Sequence, residues 1–314
     1  MRGNINYQVN QLWSKVDGIN ISKAATRKDS NIKAQNGHKV SDKVHSYNSK
    51  DEFINRAKEL ATYAKDNFNI NDMQAISNEV IIKYIQEKID NGLKYRSIST
   101  YISQLEKIQL GLSKFMKHRE EHFQLFTKET LKNVRALAKA NAVISKHKNR
   151  AFSNPELIKN ELKDYMKVSF ELQLTHGLRV NEATYIKQNQ LTENVLTIQG
   201  KGGYIREIEL KEDLANRLRK ELKKNNEKIE IPYSTYRKNL KTATIASNQD
   251  FNGTHGLRFN YVQKEYQKRV NEFKNHNEAL KEISYNIGHH REEITEHYRR
   301  PSDEVVFKIL CQPR

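Results

Sequence analysis

The sequence has a single cysteine in 314 residues, Cys311. A disulfide framework and a cysteine-built metal cluster are both excluded, and a reducing compartment is expected. No apolar run approaches the ~20 residues of a membrane-spanning helix. The opening residues, Met1-Arg2-Gly3-Asn4-Ile5-Asn6, lack the apolar centre of a secretion signal. The expectation is a soluble cytoplasmic protein without a membrane partner. Proline is scarce, and all four prolines (Pro155, Pro232, Pro301 and Pro313) follow residue 154. Of twelve glycines, six fall in four short motifs (Gly177, Gly200, Gly202, Gly203, Gly256 and Gly288) and Gly253 directly precedes one of them. A chain so free of breakers elsewhere is read as mainly α. Acidic residues are also in deficit: 55 Lys and Arg against 38 Asp and Glu leave a net charge of +17. That balance favours a polyanionic partner. Residues 1–150 hold 27 Lys/Arg against 15 Asp/Glu, and residues 151–314 hold 28 against 23. Much of the phosphate grip is therefore expected in the first half.

The chain has length for two domains, each with a core. Residues 1–48 read as an N-terminal arm or flexible segment, with one short helix around Tyr7 to Val16 and a loose, Lys-rich stretch from Ser22 to Ser49. Helical apolar faces then recur: Phe53, Ala57, Leu60, Ala61 and Ala64; Val80, Ile81, Tyr84, Ile85 and Ile89 after an N-cap at Ser77; Tyr101, Ile102, Leu105, Ile108, Leu112 and Phe115; Leu131, Val134, Leu137 and Ala138 after Thr127. These make residues 49–146 a compact helical domain. Tyr84, Tyr101 and Phe115 read as core, and Lys94, Arg96, Lys107, Lys114 and Lys117 as candidate phosphate contacts. Lys146, Lys148 and Arg150 belong to a basic linker, 147–152 with its flank, and join that candidate set. Asn154-Pro155 looks like an N-cap with proline at the first helical position. It opens a second domain, 153–314. Val195 to Gln199 and Tyr204 to Leu210 read as a hairpin around Gly200-Lys201-Gly202-Gly203. Helices are expected at about 211–224, 233–246, 256–270 and 278–287, with a short one over 291–298. The fold class is thus mainly α, with a small β-hairpin.

Four motifs carry chemistry: Thr175-His176-Gly177-Leu178-Arg179-Val180-Asn181-Glu182; the hairpin tip with Lys201; Thr254-His255-Gly256-Leu257-Arg258; and Ile287-Gly288-His289-His290, followed by Tyr298. A phosphodiester repels nucleophiles and has a poor alkoxide leaving group. A metal-free catalyst must neutralise charge, position a nucleophile and protonate the leaving oxygen. Arginine suits the first task because its planar fork can hold two oxygens and stays charged. Arg179 and Arg258 each follow Gly-Leu at a turn entering a helix, where backbone N–H groups also face an anion. His255 lies three residues before Arg258, on the same helical face, and can move a proton near neutral pH. Lys201 on a flexible stem is a candidate general acid. Taken singly, a Gly-Leu-Arg is better explained by a surface or salt-bridged arginine, and Lys201 by a solvent-exposed turn lysine.

In their order and spacing the motifs resemble the tyrosine recombinase (phage integrase) family. Residues 175–182 are similar to its first arginine box, with Glu182 in support, and 200–210 to its lysine hairpin. His255 to Arg258 is similar to its His-x-x-Arg box, and Gly288-His289 with Tyr298 has its histidine-to-nucleophile spacing. The likeness covers about 155–300 by motif; 49–146 matches the family's helical core-binding domain only in general form. It implies a two-domain, site-specific recombinase or integrase. Tyr298 would form a 3′-phosphotyrosyl link, Arg179, Arg258 and His289 would hold the phosphate, His255 would assist proton transfer and Lys201 would protonate the 5′ oxygen. No cofactor or metal is implied. The implied partner is a double-stranded DNA recombination site, bound by a homotetramer spanning two sites and resolving a Holliday junction. An accessory DNA-bending protein is left open. Within this resemblance His289, not His290, is the phosphate ligand, Tyr285 reads as helix core, His297 as a surface histidine, and Val305 to Leu310 as an apolar tail for a neighbouring protomer. Tyr298 is expected to be set in place by assembly on DNA.

Two other readings use the same residues: a type IB topoisomerase-like enzyme that relaxes DNA, and a DNA-binding protein without activity. A metal-dependent nuclease is disfavoured, because the motif turns hold no clustered carboxylates with ligand spacing.

Overall fold

The computed structural model describes residues 1, 3–33, 37, 39–116, 125–200, 203, 205–272, 275–289 and 292–302. The chain divides into two compact units, Met1–Ser145 and Lys146–Arg314.

The first unit is built from α1 (Ile5–Val16), α2 (Lys23–Asp29), α3 (Tyr47–Phe68), α4 (Asn78–Asp90), α5 (Tyr95–Met116) and α6 (Lys128–Asn141). The helix starts follow local chemistry. The Ser46 and Thr127 hydroxyls accept from the third backbone N–H beyond them, at Ser49 and Thr130. The end of α3 is a left-handed Asn69. Phe53, Leu60, Ile81, Tyr84, Ile102, Ile108, Leu131 and Val134 fill one core. Tyr84 is fully buried, and Tyr101 and Phe115 pack at its edge.

The N-terminal segment departs from the expected arm. Helix α1 packs on α3 and α5, and its Val9, Leu12 and Val16 are completely buried. Trp13 stacks on Phe53 with ring centroids 5.8 Å apart. A close approach makes this possible: a Cβ on Gly111 of α5 would stand 3.3 Å from the Leu12 carbonyl. The stretch after α1 is also tied down. Asp17 and Val44 form a parallel bridge, the Lys107 ammonium donates to the Ser41 carbonyl at 2.6 Å, and Lys114 pairs with Asp42. The polar composition of residues 17–48 hid these ties, since each is a long-range bond to backbone or to a single carboxylate.

The second unit contains α7 (Pro155–Asn160), α8 (Asp164–His176), α9 (Val180–Thr184), β1 (Tyr185–Lys187), β2 (Leu191–Thr192), β3 (Val195–Gln199), β4 (Ile205–Glu209), α10 (Glu212–Lys224), β5 (Lys228–Glu230), α11 (Tyr233–Ala246), α12 (Gly256–Asn271), α13 (His276–Asn286) and α14 (Glu292–Arg299). Asn154 caps α7 as expected, accepting from Leu157, with Pro155 in the first turn. Strands β2, β3 and β4 form an antiparallel sheet, with Leu196 opposite Ile208 and Ile198 opposite Arg206. β1 pairs with β5 in a second, two-stranded sheet. Phe170, Leu172, Leu178, Leu196, Leu218, Tyr236 and Leu257 lie in the main core. A smaller cluster of Tyr261, Val262, Ile283 and Ile287 joins α12 to α13, and Tyr298 packs against it.

If α1 belongs to the core, Leu12→Ala destabilises the first unit by about 2–5 kcal/mol, the range for a buried leucine truncation. Urea unfolding followed by circular dichroism measures this. A midpoint equal to wild type would return residues 1–16 to the status of an arm.

Candidate active site

The site is assembled from turns that only glycine permits. Helix α8 stops at Gly177, which takes the left-handed conformation with φ of 62°. A Cβ there would also stand 2.5 Å from the Tyr261 ring and 2.9 Å from Ile287. The following Leu178 is buried and anchors the turn in the core. Arg179 is then the N-cap of α9. Three residues on, Glu182 reaches back to accept from the Arg179 N–H at 2.8 Å and from its guanidinium at 2.9 Å.

Arg258 lies in the first turn of α12 and is 1% exposed. It donates to the Gly177 carbonyl, to the Ile287 carbonyl at 2.6 Å and to His289 Nε2 at 2.9 Å. Gly177 and Ile287 are the C-caps of α8 and α13. Carbonyls there carry the negative end of the helix dipole. A buried cation held between two such ends is compensated without a carboxylate in direct contact. Burial, opposed by the nearby Tyr298 and aided by Arg179, pushes the Arg258 pKa down to about 10; the group remains charged at neutral pH. A guanidinium can only donate, so His289 Nε2 accepts and the ring carries its proton on Nδ1.

Gly288 again has positive φ, 66°, and its Cβ would stand 2.8 Å from the Arg206 guanidinium. The Gly288 carbonyl accepts from Arg179 Nη2 at 3.3 Å. Arg206, on β4, pairs with Glu182 at 2.7 Å and its side chain is 10% exposed. Burial raises the Glu182 pKa, but the bonds and charges of Arg206 and Arg179 outweigh it and hold the carboxylate below its ordinary range. Two guanidiniums thus share one carboxylate, and with Arg258 nearby the cluster keeps an excess of positive charge beside His255 and Tyr298. That excess suits an anion with several oxygens.

His255 is the N-cap of α12. Burial lowers its pKa, and the charges of Arg258, Arg150 and Arg179 lower it further. The ring is therefore neutral at pH 7 and able to accept a proton. The adjacent Gly256 lets residues 150–152 pass close by: a Cβ would stand 2.4 Å from the Phe152 ring and 2.8 Å from the Arg150 carbonyl. Tyr298, on α14, packs its ring at a tilt against Phe259, 4.7 Å away, and His289, 5.5 Å away, between centroids. The Arg258 guanidinium lies 5.7 Å from its ring centre. Within the single chain Tyr298 thus lies beside Arg258 and His289.

Of the expected catalytic set, Arg179, His255, Arg258, His289 and Tyr298 converge, with Glu182 in support. Lys201, together with Lys117, His290 and the tail beyond residue 302, lies outside the described residues. Lys94, Arg96, Lys146, Lys148 and Arg150 are exposed. Lys107 and Lys114 are not free phosphate contacts, because the Ser41 carbonyl and Asp42 engage them. Tyr285 is 67% exposed, so it is not the core residue expected. His297 is exposed, with its ring 4.6 Å from His147 and 5.8 Å from Tyr298. Arg206 escaped the sequence reading. Its only sequence signal is a basic residue opposite the inward-facing Ile198. Among the described residues no cluster of three or more His, Cys, Asp or Glu side chains could hold a metal ion, and no helix is long and apolar enough to cross a membrane.

No sequence-family model and no curated protein matches this chain. Solved structures do. The XerH site-specific recombinase bound to a palindromic difH substrate, a post-cleavage complex, is similar with a TM-score of 0.62 at 15% identity, over 98% of this chain and 94% of that one. The Tn1549 transposon integrase in complex with transposon right-end DNA is similar with a TM-score of 0.57 at 12% identity, over 97% and 100%. A lambda integrase tetramer bound to a Holliday junction gives 0.55 at 16% identity, over 82% and 73%. The chain has the tyrosine recombinase fold expected from its motifs.

The site carries a pH signature. As pH falls below about 6.5, the ordinary histidine value, the unfolded chain takes up a proton that folded His255 resists. Its contribution to stability is whole above that pH and is lost below it. His176, lowered by burial, acts with the same sign, and Glu182 adds a loss below its ordinary 4.5. Urea midpoints measured against pH should fall on the acid side, less steeply for His255→Gln between about pH 6.5 and 5. An unchanged slope would assign the acid limb to other groups.

Proposed function

We propose that this chain is a site-specific DNA recombinase or integrase that cuts and rejoins DNA through a 3′-phosphotyrosyl intermediate. The observation that carries this reading is the convergence of Arg179, His255, Arg258, His289 and Tyr298 on one positively charged pocket. They come from four separate turns and helices, His255 and Arg258 sharing the start of α12, brought together by glycine turns and a shared buried guanidinium.

In this reading a scissile phosphate sits between Arg179 and Arg258 and replaces His289 as a partner of the Arg258 fork. His289 then turns a ring N–H to a non-bridging oxygen. The Tyr298 hydroxyl oxygen attacks phosphorus and its proton passes to neutral His255. The P–O5′ bond breaks, and the leaving oxygen takes a proton from the Lys201 ammonium. The phosphate ester is exchanged rather than hydrolysed, so reversal by another strand's 5′-hydroxyl reseals DNA without nucleotide or metal. Glu182 and Arg206 hold Arg179 in place. The first unit, with exposed Lys94 and Arg96, binds duplex backbone alongside Lys146, Lys148 and Arg150. Domain roles follow: 1–145 for DNA binding, and 146–314 for chemistry, within a homotetramer that joins two DNA sites. The lambda integrase structure, a tetramer on a Holliday junction, supports that assembly.

The test is a covalent-adduct assay. The chain is incubated with nicked duplexes of randomised sequence and with DNA flanking its own gene, then denatured. Wild type should retain DNA, and Tyr298→Phe should retain none while still shifting the duplex in a gel. Failure of wild type to form any adduct would leave only the inactive DNA-binding reading. For Lys201→Ala, cleavage should be restored by replacing the 5′ leaving oxygen with sulfur, a better leaving group that needs no proton. Equal slowing on both substrates would remove its role as the acid.

A further inference from the structure

Helix α14 ends at Arg299, one residue past the tyrosine. Its last carbonyls therefore lack donors from a following turn. In a continuing helix the Tyr298 carbonyl would accept from residue 302. Instead it accepts from the Gln263 side-chain amide, at 3.0 Å. The same Gln263 nitrogen donates its second proton to Asn149 Oδ1, also at 3.0 Å. Asn149 closes the circuit, because its backbone N–H donates to Ser302 Oγ at 2.9 Å. Two residues earlier, His147 Nε2 lies 3.1 Å from the Arg300 carbonyl. Asn260, three residues before Gln263 on α12, exchanges two bonds with the Phe152 backbone, at 2.9 and 2.7 Å.

The stretch alternates as an extended chain does. His147 and Asn149 are half-buried against α12 and the end of α14, while Lys146, Lys148 and Arg150 are exposed. The basic side chains can therefore meet phosphates without releasing the inward contacts.

We propose that Gln263 is a positioning residue for Tyr298, and that residues 147–149 are the brace from which it acts. The proposal rests on the strand-transfer reading above. Arg258 and Gln263 stand five residues apart on one helix. The distance between the phosphate-binding guanidinium and the backbone of the nucleophile is thereby set by a single rigid element. The ring contacts with Phe259 and His289 orient the side chain, and the Gln263 bond adds a hold on its backbone at the end of α14.

Gln263→Glu keeps the shape and removes both donors. On the nicked duplex to which wild type becomes attached, it should slow single-turnover adduct formation on the order of 10- to 100-fold, as expected for a displaced reacting atom, with DNA affinity unchanged. Asn149→Ala should slow it comparably, and the double variant no further, since both break one circuit. Hydrogen exchange of the DNA-free full chain gives a second readout. The Arg300 amide, bonded to the Glu296 carbonyl at 3.0 Å, should exchange faster in Gln263→Glu, while amides of α8 stay as in wild type. Unchanged exchange, or unchanged adduct rate with faster exchange, overturns the brace even where wild type is active. A wild-type chain that forms no adduct overturns the strand-transfer reading instead, and Gln263 loses its role in cleavage with it.

Discussion

The structure of the second unit depends on one buried guanidinium. Arg258 is almost fully inaccessible, and an uncompensated charge in that position would cost several kcal/mol. Its compensation is geometric. Two helices end where the guanidinium sits, so that Gly177 and Ile287 offer it the carbonyls that no later turn of their own helices uses. This demand explains the glycines: α8 must stop abruptly at Gly177, with no side chain between Tyr261 and Ile287. The same demand brings α8, α12 and α13 together at their ends, around the small cluster of Tyr261, Val262, Ile283 and Ile287. Tyr298 rests on this cluster. The cation that organises the core thus also orients Tyr298.

A carboxylate bonded to Arg258 would stabilise the buried charge and oppose anion binding. The arrangement avoids this. Glu182, the carboxylate of the cluster, is occupied by Arg179 and Arg206 and kept deprotonated by them. It fixes the outer arginine without neutralising the inner one. His289 fills the remaining position on Arg258 as a neutral acceptor, a weaker partner than a phosphate oxygen. The pocket is therefore closed by a group that an anion can displace at little cost.

How much of this was legible in the residues depends on range. The helix starts at Ser77, Thr127 and Asn154 and the hairpin after Val195 could be read because their causes are local: caps, turns and periodicity within a few residues. The residues that converge at the candidate site could be read because glycine turns and reactive side chains are adjacent in each motif. Arg206 could not, because its partner Glu182 lies 24 residues earlier and a strand arginine has no local mark. Lys107 and Lys114 looked like phosphate contacts because the Ser41 carbonyl and Asp42 that engage them come from a stretch with no periodicity of its own. Helix α1 was seen as a helix, but its assignment to an arm followed its polar neighbours rather than its apolar face.

The position of Tyr298 shows the same limit in a sharper form. A proline at 301 and a short helix suggested a nucleophile waiting for an external partner. Helix ends do need external partners, because their carbonyls are unsatisfied. Gln263 and His147 supply those partners from within the chain, 35 and 153 residues away from the groups they bind. In the proposed strand transfer, a tyrosine held through its main-chain carbonyl keeps its hydroxyl available for attack. Attack and reversal in that reaction both need the tyrosine oxygen to approach phosphorus, remain bonded to it and later leave. Holding the carbonyl rather than the hydroxyl restrains the Cα and adds no hydrogen bond that attack would first have to break.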